Sequence, residues 1–151
     1  MMVDNSIIKY FIDANNLIGK IPKLRKLKGS DSRERLIFLL QRFFSGKKVN
    51  VTLFFDGHQS ENIKTNFEIV YSLNRSADEL IKQRIDRSKR NKNLVVVSSD
   101  LEIFAYAKEC GCKAVKSEEF YKNISSTQLD DLTEKPNNFD IDEFKKIFKD
   151  E

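Results

Sequence analysis

A chain of 151 residues with 40% hydrophobic and 33% charged residues is sized for one folded domain and carries too much apolar side chain for a disordered one. No apolar run approaches the roughly 18 residues needed to span a bilayer, and the opening MMVDNSIIKYFIDANN lacks the layout of a signal peptide, so a cytoplasmic protein with no membrane partner is expected. The net charge of +4 is uneven: residues 130–151 hold eight acids and four bases, leaving 23 bases against 15 acids in residues 1–129, a basic body suited to a polyanionic partner.

In chain order, residues 7–12 (IIKYFI) read as a strand. Residues 33–44 place Leu36, Leu39, Leu40 and Phe43 at helical spacing. Residues 49–55 (VNVTLFF) and 67–73 (FEIVYSL) read as the second and third strands, and 77–89 as an amphipathic helix with Leu80, Ile81 and Ile85 inward. The continuous apolar run at 94–98 suits a strand covered on both faces. A helix over 100–110 closes at Gly111, and a short strand at 113–116 and a helix near 117–123 follow. This alternation predicts a doubly wound, parallel α/β sheet. Beyond it, the polar segment 125–139 with Pro136 reads as a linker. Residues 140–149, with Ile141, Phe144, Ile147 and Phe148 on one face, read as a terminal helix. Cys110 and Cys112 flank one Gly, a spacing that fits neither a zinc knuckle nor a disulfide framework.

Two strands run straight into an aspartate, Asp13 and Asp56, and a third reaches Asp100 two residues on. Ligands of open parallel sheets bind at the carboxyl ends of the strands, so these three acids are expected on one edge, with Asp78 joining them at the start of its helix. Clustered carboxylates repel unless a cation neutralises them, and hard oxygen donors suit Mg²⁺ or Mn²⁺. Each acid also has a plainer role. Asp56-Gly57 is a turn signal, and Asp78 and Asp100 fit capping boxes at helix starts. Asn16 either orients a carboxylate or bonds its own loop, Ser98 and Ser99 either touch a phosphate or (Ser99) cap a helix, and His58 reads as a surface residue.

One basic cluster, Lys20, Lys23, Arg25, Lys26 and Lys28, falls in the loop after the first strand, beside Asp13, where it suits an RNA backbone. A second, Lys82, Arg84, Arg87, Lys89, Arg90 and Lys92, reads as a solvated helix face. The absence of GxGxxG and GxxxxGK[ST] argues against dinucleotide or P-loop binding, and one histidine gives no hydrolase triad.

FIDANNLIGKIPKL, with Asn16 three residues after Asp13, followed by LFFDG, SADELI and VVVSSDLEIFAYAKECGCKAVKSEEF, resembles in order and spacing the YacP-like NYN domains, a bacterial branch of the PIN-like nucleases. The resemblance covers about residues 7 to 124, so 1–124 is expected to form the nuclease domain, followed by the 125–139 linker and the 140–151 helix. It implies a PIN-like, three-layer α/β/α fold with a mostly parallel sheet, and a divalent-metal-dependent endoribonuclease acting on single-stranded RNA. Some members act on mRNA at the ribosome. The family's acidic site falls on Asp13, Asp78 and Asp100, with Asn16 and Asp56 in support, around one or two Mg²⁺ or Mn²⁺ ions. Many relatives have Gly-Tyr where this chain has Ala14-Asn15, which bears on substrate contacts more than on catalysis. Two other classes compete: an RNA- or ribosome-binding module without effective catalysis, and a phosphotransferase, which the Asn at position 15 and the poor Lys116 disfavour.

Overall fold

A computed structural model describes residues 7–59, 63–88 and 92–133. Five strands, β1 (Ile8–Asp13), β2 (Val49–Phe55), β3 (Glu68–Tyr71), β4 (Leu94–Val97) and β5 (Lys113–Val115), form one sheet of order β3-β2-β1-β4-β5. Every pairing is parallel. The helices are α1 (Ala14–Gly19), α2 (Pro22–Arg25), α3 (Ser30–Phe44), α4 (Ala77–Arg87), α5 (Leu101–Glu109) and α6 (Ser117–Thr133).

Side chains alternate across a pleated strand, and here both faces are apolar. Ile12, Leu53, Phe55, Val95 and Val97 pack under α1, α2, α3 and α6 through Leu17, Leu24, Leu36, Leu40 and Phe120. Phe11, Phe54, Leu94 and Val96 face the other way, onto Ile81 and Ile85 of α4 and Ile103 and Ala107 of α5. The result is the three-layer, doubly wound sheet that the strand pattern predicts. The chain winds from β1 out to β3, then returns through α4 to β4 on β1's other side. The switch point therefore lies between β1 and β4, with Ile12 paired to Val97 at its carboxyl end.

Four local expectations change. The stretch after β1 is two short helices rather than a loop, because Leu17, Ile18, Ile21 and Leu24 recur at helical spacing and are all buried. In α3 the fully buried stripe is Leu36, Ile37, Leu40 and Phe44, while Leu39 and Phe43 pack at its margin. The cap of α5 is Asp100, not Ser99: Asp100 Oδ1 accepts from the N–H groups of Glu102 and Ile103 at 2.9 and 3.4 Å. Finally, α6 runs to Thr133, so the first part of the segment read as a linker is helical. The rest of that segment and the terminal helix lie outside the described residues. At α4 the predicted capping box is present, with Ser76 and Glu79 exchanging side-chain-to-backbone bonds. No helix among the described residues is long and apolar enough to cross a membrane.

Candidate active site at the carboxyl edge of the sheet

Asp13 is the last residue of β1 and only 8% exposed. Its Oδ2 accepts from the Ser98 hydroxyl at 2.9 Å, and the Asn16 backbone N–H also points at the carboxylate. Burial, with the charges of Asp56 and Asp100, nevertheless pushes its pKa from 3.8 up to about 6. Those charges reach Asp13 because β2 and β4 flank β1, so the acids that follow them come to the same edge.

Ser98, buried at the end of β4, links two of the acids: the same hydroxyl that donates to Asp13 accepts the Asp100 N–H at 3.0 Å. Its bond to Asp13 favours the ionised form, so Ser98→Ala is expected to raise the Asp13 pKa further. A carboxyl NMR titration of the metal-free protein checks this, and a midpoint left at or below the wild-type value refutes it.

Asp56 reaches across to α4, where its Oδ1 accepts the Ala77 N–H at 2.9 Å, next to Asp78 in the first turn. Asp56 and Asp100 thus each place Oδ1 on a helix N-terminus. The four acids come to one edge, as expected, but they do not close into a ligand set. Among the described residues no three His, Cys, Asp or Glu side chains stand close enough to hold a metal ion. The donors still fit a hard divalent cation. All are carboxylate oxygens, the charges of Asp56 and Asp100 add to the burial that raises Asp13, and Mg²⁺ usually takes one or two carboxylates and completes its shell with water and phosphate oxygens.

Asn15 and Asn16 fasten β1 to both neighbours. Asn15 Oδ1 accepts the Asp56 N–H at 2.7 Å. Asn16 Oδ1 accepts the Ser99 N–H at 2.9 Å and the Ser117 hydroxyl at 2.7 Å. The Asn16 side-chain oxygen therefore holds the β4–α5 and β5–α6 loops rather than the Asp13 carboxylate, to which Asn16 contributes its backbone N–H. Ser99 in turn accepts the Ser117 N–H at 2.9 Å and donates to Glu118. Arg33 binds the carbonyls of Asp56 and His58 at 2.7 and 2.9 Å with its guanidinium over the Phe55 and Tyr71 rings, which fixes the turn after β2.

Nothing in the sequence pattern singles out Asn15, Arg33 or Glu118, because each acts through a partner 19 to 41 residues away. Of the first basic cluster, Lys20 lies near the edge: with Ser99 and Lys116 it holds the Glu118 carboxyl below its usual range, the Ser99 bond contributing most. Lys23, Arg25, Lys26 and Lys28 are exposed on and just after α2. The second cluster is not a plain solvated face. Lys82 pairs with Glu102 at 3.1 Å, and that bond, with the fields of Glu102, Asp78 and Asp100, raises its pKa. Arg84 grips Glu68 at 2.6 and 3.0 Å. Lys89 and Arg90 lie outside the described residues.

The model of the YacP-like NYN domain family matches residues 10–149, past the boundary at 124 drawn from the motifs. Two crystal structures of Rae1 (YacP) from Bacillus subtilis are similar in fold. One superposes with a TM-score of 0.67 at 21% identity, covering 79% of this chain and 74% of that one. The other, a point mutant, gives 0.63 at 19% identity, covering 89% and 88%. No curated protein sequence matches.

Proposed function

The chain belongs to the YacP-like NYN domain family, within a nuclease superfamily, and on that premise we propose that it is a divalent-metal-dependent endoribonuclease of single-stranded RNA in the cytoplasm. The observation that carries the proposal is the buried Asp13, lifted to about 6 and facing the charges of Asp56 and Asp100 at the sheet's switch point. Such a site is incomplete without positive charge.

Asp13 and Asp100 hold the metal in this reading, with Asp78 and Asp56 completing its surroundings. Mg²⁺ or Mn²⁺ bound there supplies an activated water and neutralises charge on the scissile phosphate. Ser98 ties the Asp13 carboxylate to the Asp100 backbone through one hydroxyl, donating to the first and accepting from the N–H of the second. Asn16 and Ser99 hold the loop that carries Asp100, and Asn15 and Arg33 hold the one that carries Asp56. Lys82 stands on the face of α4 one turn beyond Asp78, a cation at the edge of the acid field that offsets repulsion of the RNA backbone. Lys20 and the exposed bases of α2 extend that role along the strand, with messenger RNA as the substrate class.

The test is cleavage of an end-labelled, unstructured RNA oligonucleotide. Internal products should appear with Mn²⁺ or Mg²⁺ and vanish with EDTA. One observation favours a second reading: among the described residues no three acids are placed to hold a metal unaided, which suits a binding module of the same fold. Isothermal titration with Mn²⁺ separates the two. RNA binding with no metal affinity and no cleavage replaces the enzyme with the binder.

A further inference from the structure

Two large apolar side chains stand in solvent at the acid edge, Leu73 with 56% and Leu101 with 72% of its surface exposed. Leu101 opens α5 directly after Asp100. Leu73 lies in the turn between β3 and α4, where its N–H donates to the Gly57 carbonyl at 2.8 Å, one residue from Asp56, and the same turn leads into the helix that carries Asp78.

Single exposed leucines are common on protein surfaces. Leu73 differs because it is the one non-glycine residue at positive φ among the described residues, at +61°. That left-handed conformation is costly for a branched side chain and easy for glycine or asparagine. Asn74 is next in the chain, so a suited residue stands one position away. The strain is imposed by bonds on all sides of the turn: Gly57 N–H to Ser72 Oγ at 2.9 Å, Leu73 N–H to Gly57 O, and Arg75 N–H to Ser72 O at 3.0 Å. Strain of this kind persists where surrounding structure over-determines it, and it gathers at functional sites. Its product here is an isobutyl group held in water beside the acids.

We propose that Leu73 and Leu101 are the base-contacting residues of the site, each covering the face of an unstacked nucleobase in the strand whose phosphate the acids address. The proposal rests on the ribonuclease reading and deepens it. Carboxylates, lysines and a metal ion act on the sugar–phosphate backbone and do not distinguish paired from unpaired RNA. Base faces are open only in single strands, and an apolar rim on both sides of the acids selects for them. Leu73 stands on the β2–β3 side of Asp13 and Leu101 on the β4 side, so the strand crosses the edge from one to the other.

The test uses the full chain with Mn²⁺, comparing wild type with Leu73→Asn, Leu73→Gly and a Leu73→Asn/Leu101→Ser double variant. The substrates are a single-stranded RNA and the same strand with a stable abasic spacer beside the cleaved bond. Leu73→Asn and Leu73→Gly should melt at or above the wild-type temperature, since the new residue suits the backbone. Their KM should nevertheless rise about five- to tenfold, the worth of one lost apolar contact, with kcat within about twofold. The wild type should lose as much on the abasic strand, and the double variant should lose nothing further there. Wild-type KM in Leu73→Asn, or an abasic penalty that persists in the double variant, overturns the proposal while leaving the nuclease intact. A wild type inert toward every RNA overturns the nuclease reading, and this proposal with it.

Discussion

Asp13→Asn is expected to abolish metal-dependent RNA cleavage, by about a thousandfold or more in kcat/KM, and to make the metal-free protein more stable at neutral pH. Both effects come from one carboxylate. Burial first, then the charges of Asp56 and Asp100, hold the Asp13 pKa at about 6 against the bonds from Ser98 and Asn16, while the unfolded chain returns it to 3.8. Between those values the folded state binds a proton that the unfolded state has released. Stability from this group therefore falls as pH rises from about 4 to 6 and stays low above that. The shift corresponds to an order-of-magnitude cost of about 3 kcal/mol at pH 8, which asparagine does not incur. Urea melts in EDTA should show the variant more stable at pH 8, with the gap closing at pH 4. Added Mn²⁺ should raise the wild-type midpoint and leave the variant's unchanged, because the ion binds the folded wild type alone. Retained cleavage removes Asp13 from the mechanism. A stability gap equal at both pH values shows that an ionised, buried carboxylate is not its cause.

The parts legible from sequence are those that depend on local periodicity. Each strand was readable to within about two residues, because runs such as LVVV are apolar on both faces only in a covered parallel sheet. The shared edge of Asp13, Asp56 and Asp100 followed from strand-end position alone, and the comparisons bear out the family that the ordered motifs suggested. The helices α1 and α2 are not legible locally because Gly19, Lys20 and Pro22 punctuate the segment, and the burial of Leu17 and Leu24 is decided by tertiary packing in the core they share with α3. The cap of α5 is ambiguous by one residue in the sequence, since Ser99 and Asp100 are equally good caps locally. What separates them is tertiary: the Ser99 hydroxyl is taken by Ser117 and Glu118 on α6. Lys82 was indistinguishable from its basic neighbours until α5 brought Glu102 against it. Leu73 is hidden for a different reason: glycine or asparagine usually marks a positive φ, and a leucine there gives no such signal.

Asn16→Ala is expected to produce the second large effect, and its kinetic form separates two roles for this side chain. An asparagine touching the scissile phosphate would lose RNA affinity on truncation. The observed Oδ1 is committed elsewhere, to the Ser99 N–H and to the hydroxyl of Ser117, a residue with no exposed surface. Removing it leaves a buried hydroxyl and a half-buried amide without an acceptor, for a loss of about 2–4 kcal/mol. It also frees the loop that aims Asp100, and a displacement near 1 Å at a reacting centre costs on the order of a hundredfold in kcat. KM should change little, since no RNA contact is lost. Asn16→Asp keeps both acceptor bonds and should recover most of the stability, while the added charge beside Asp13 keeps activity low. Asn15→Ala provides the control on β1's other side, losing one bond to the exposed Asp56 turn, with a cost near 1 kcal/mol. A KM effect that outweighs the kcat effect in Asn16→Ala would return Asn16 to the substrate. The reverse split makes it the residue that holds β4's acid in line with β1's.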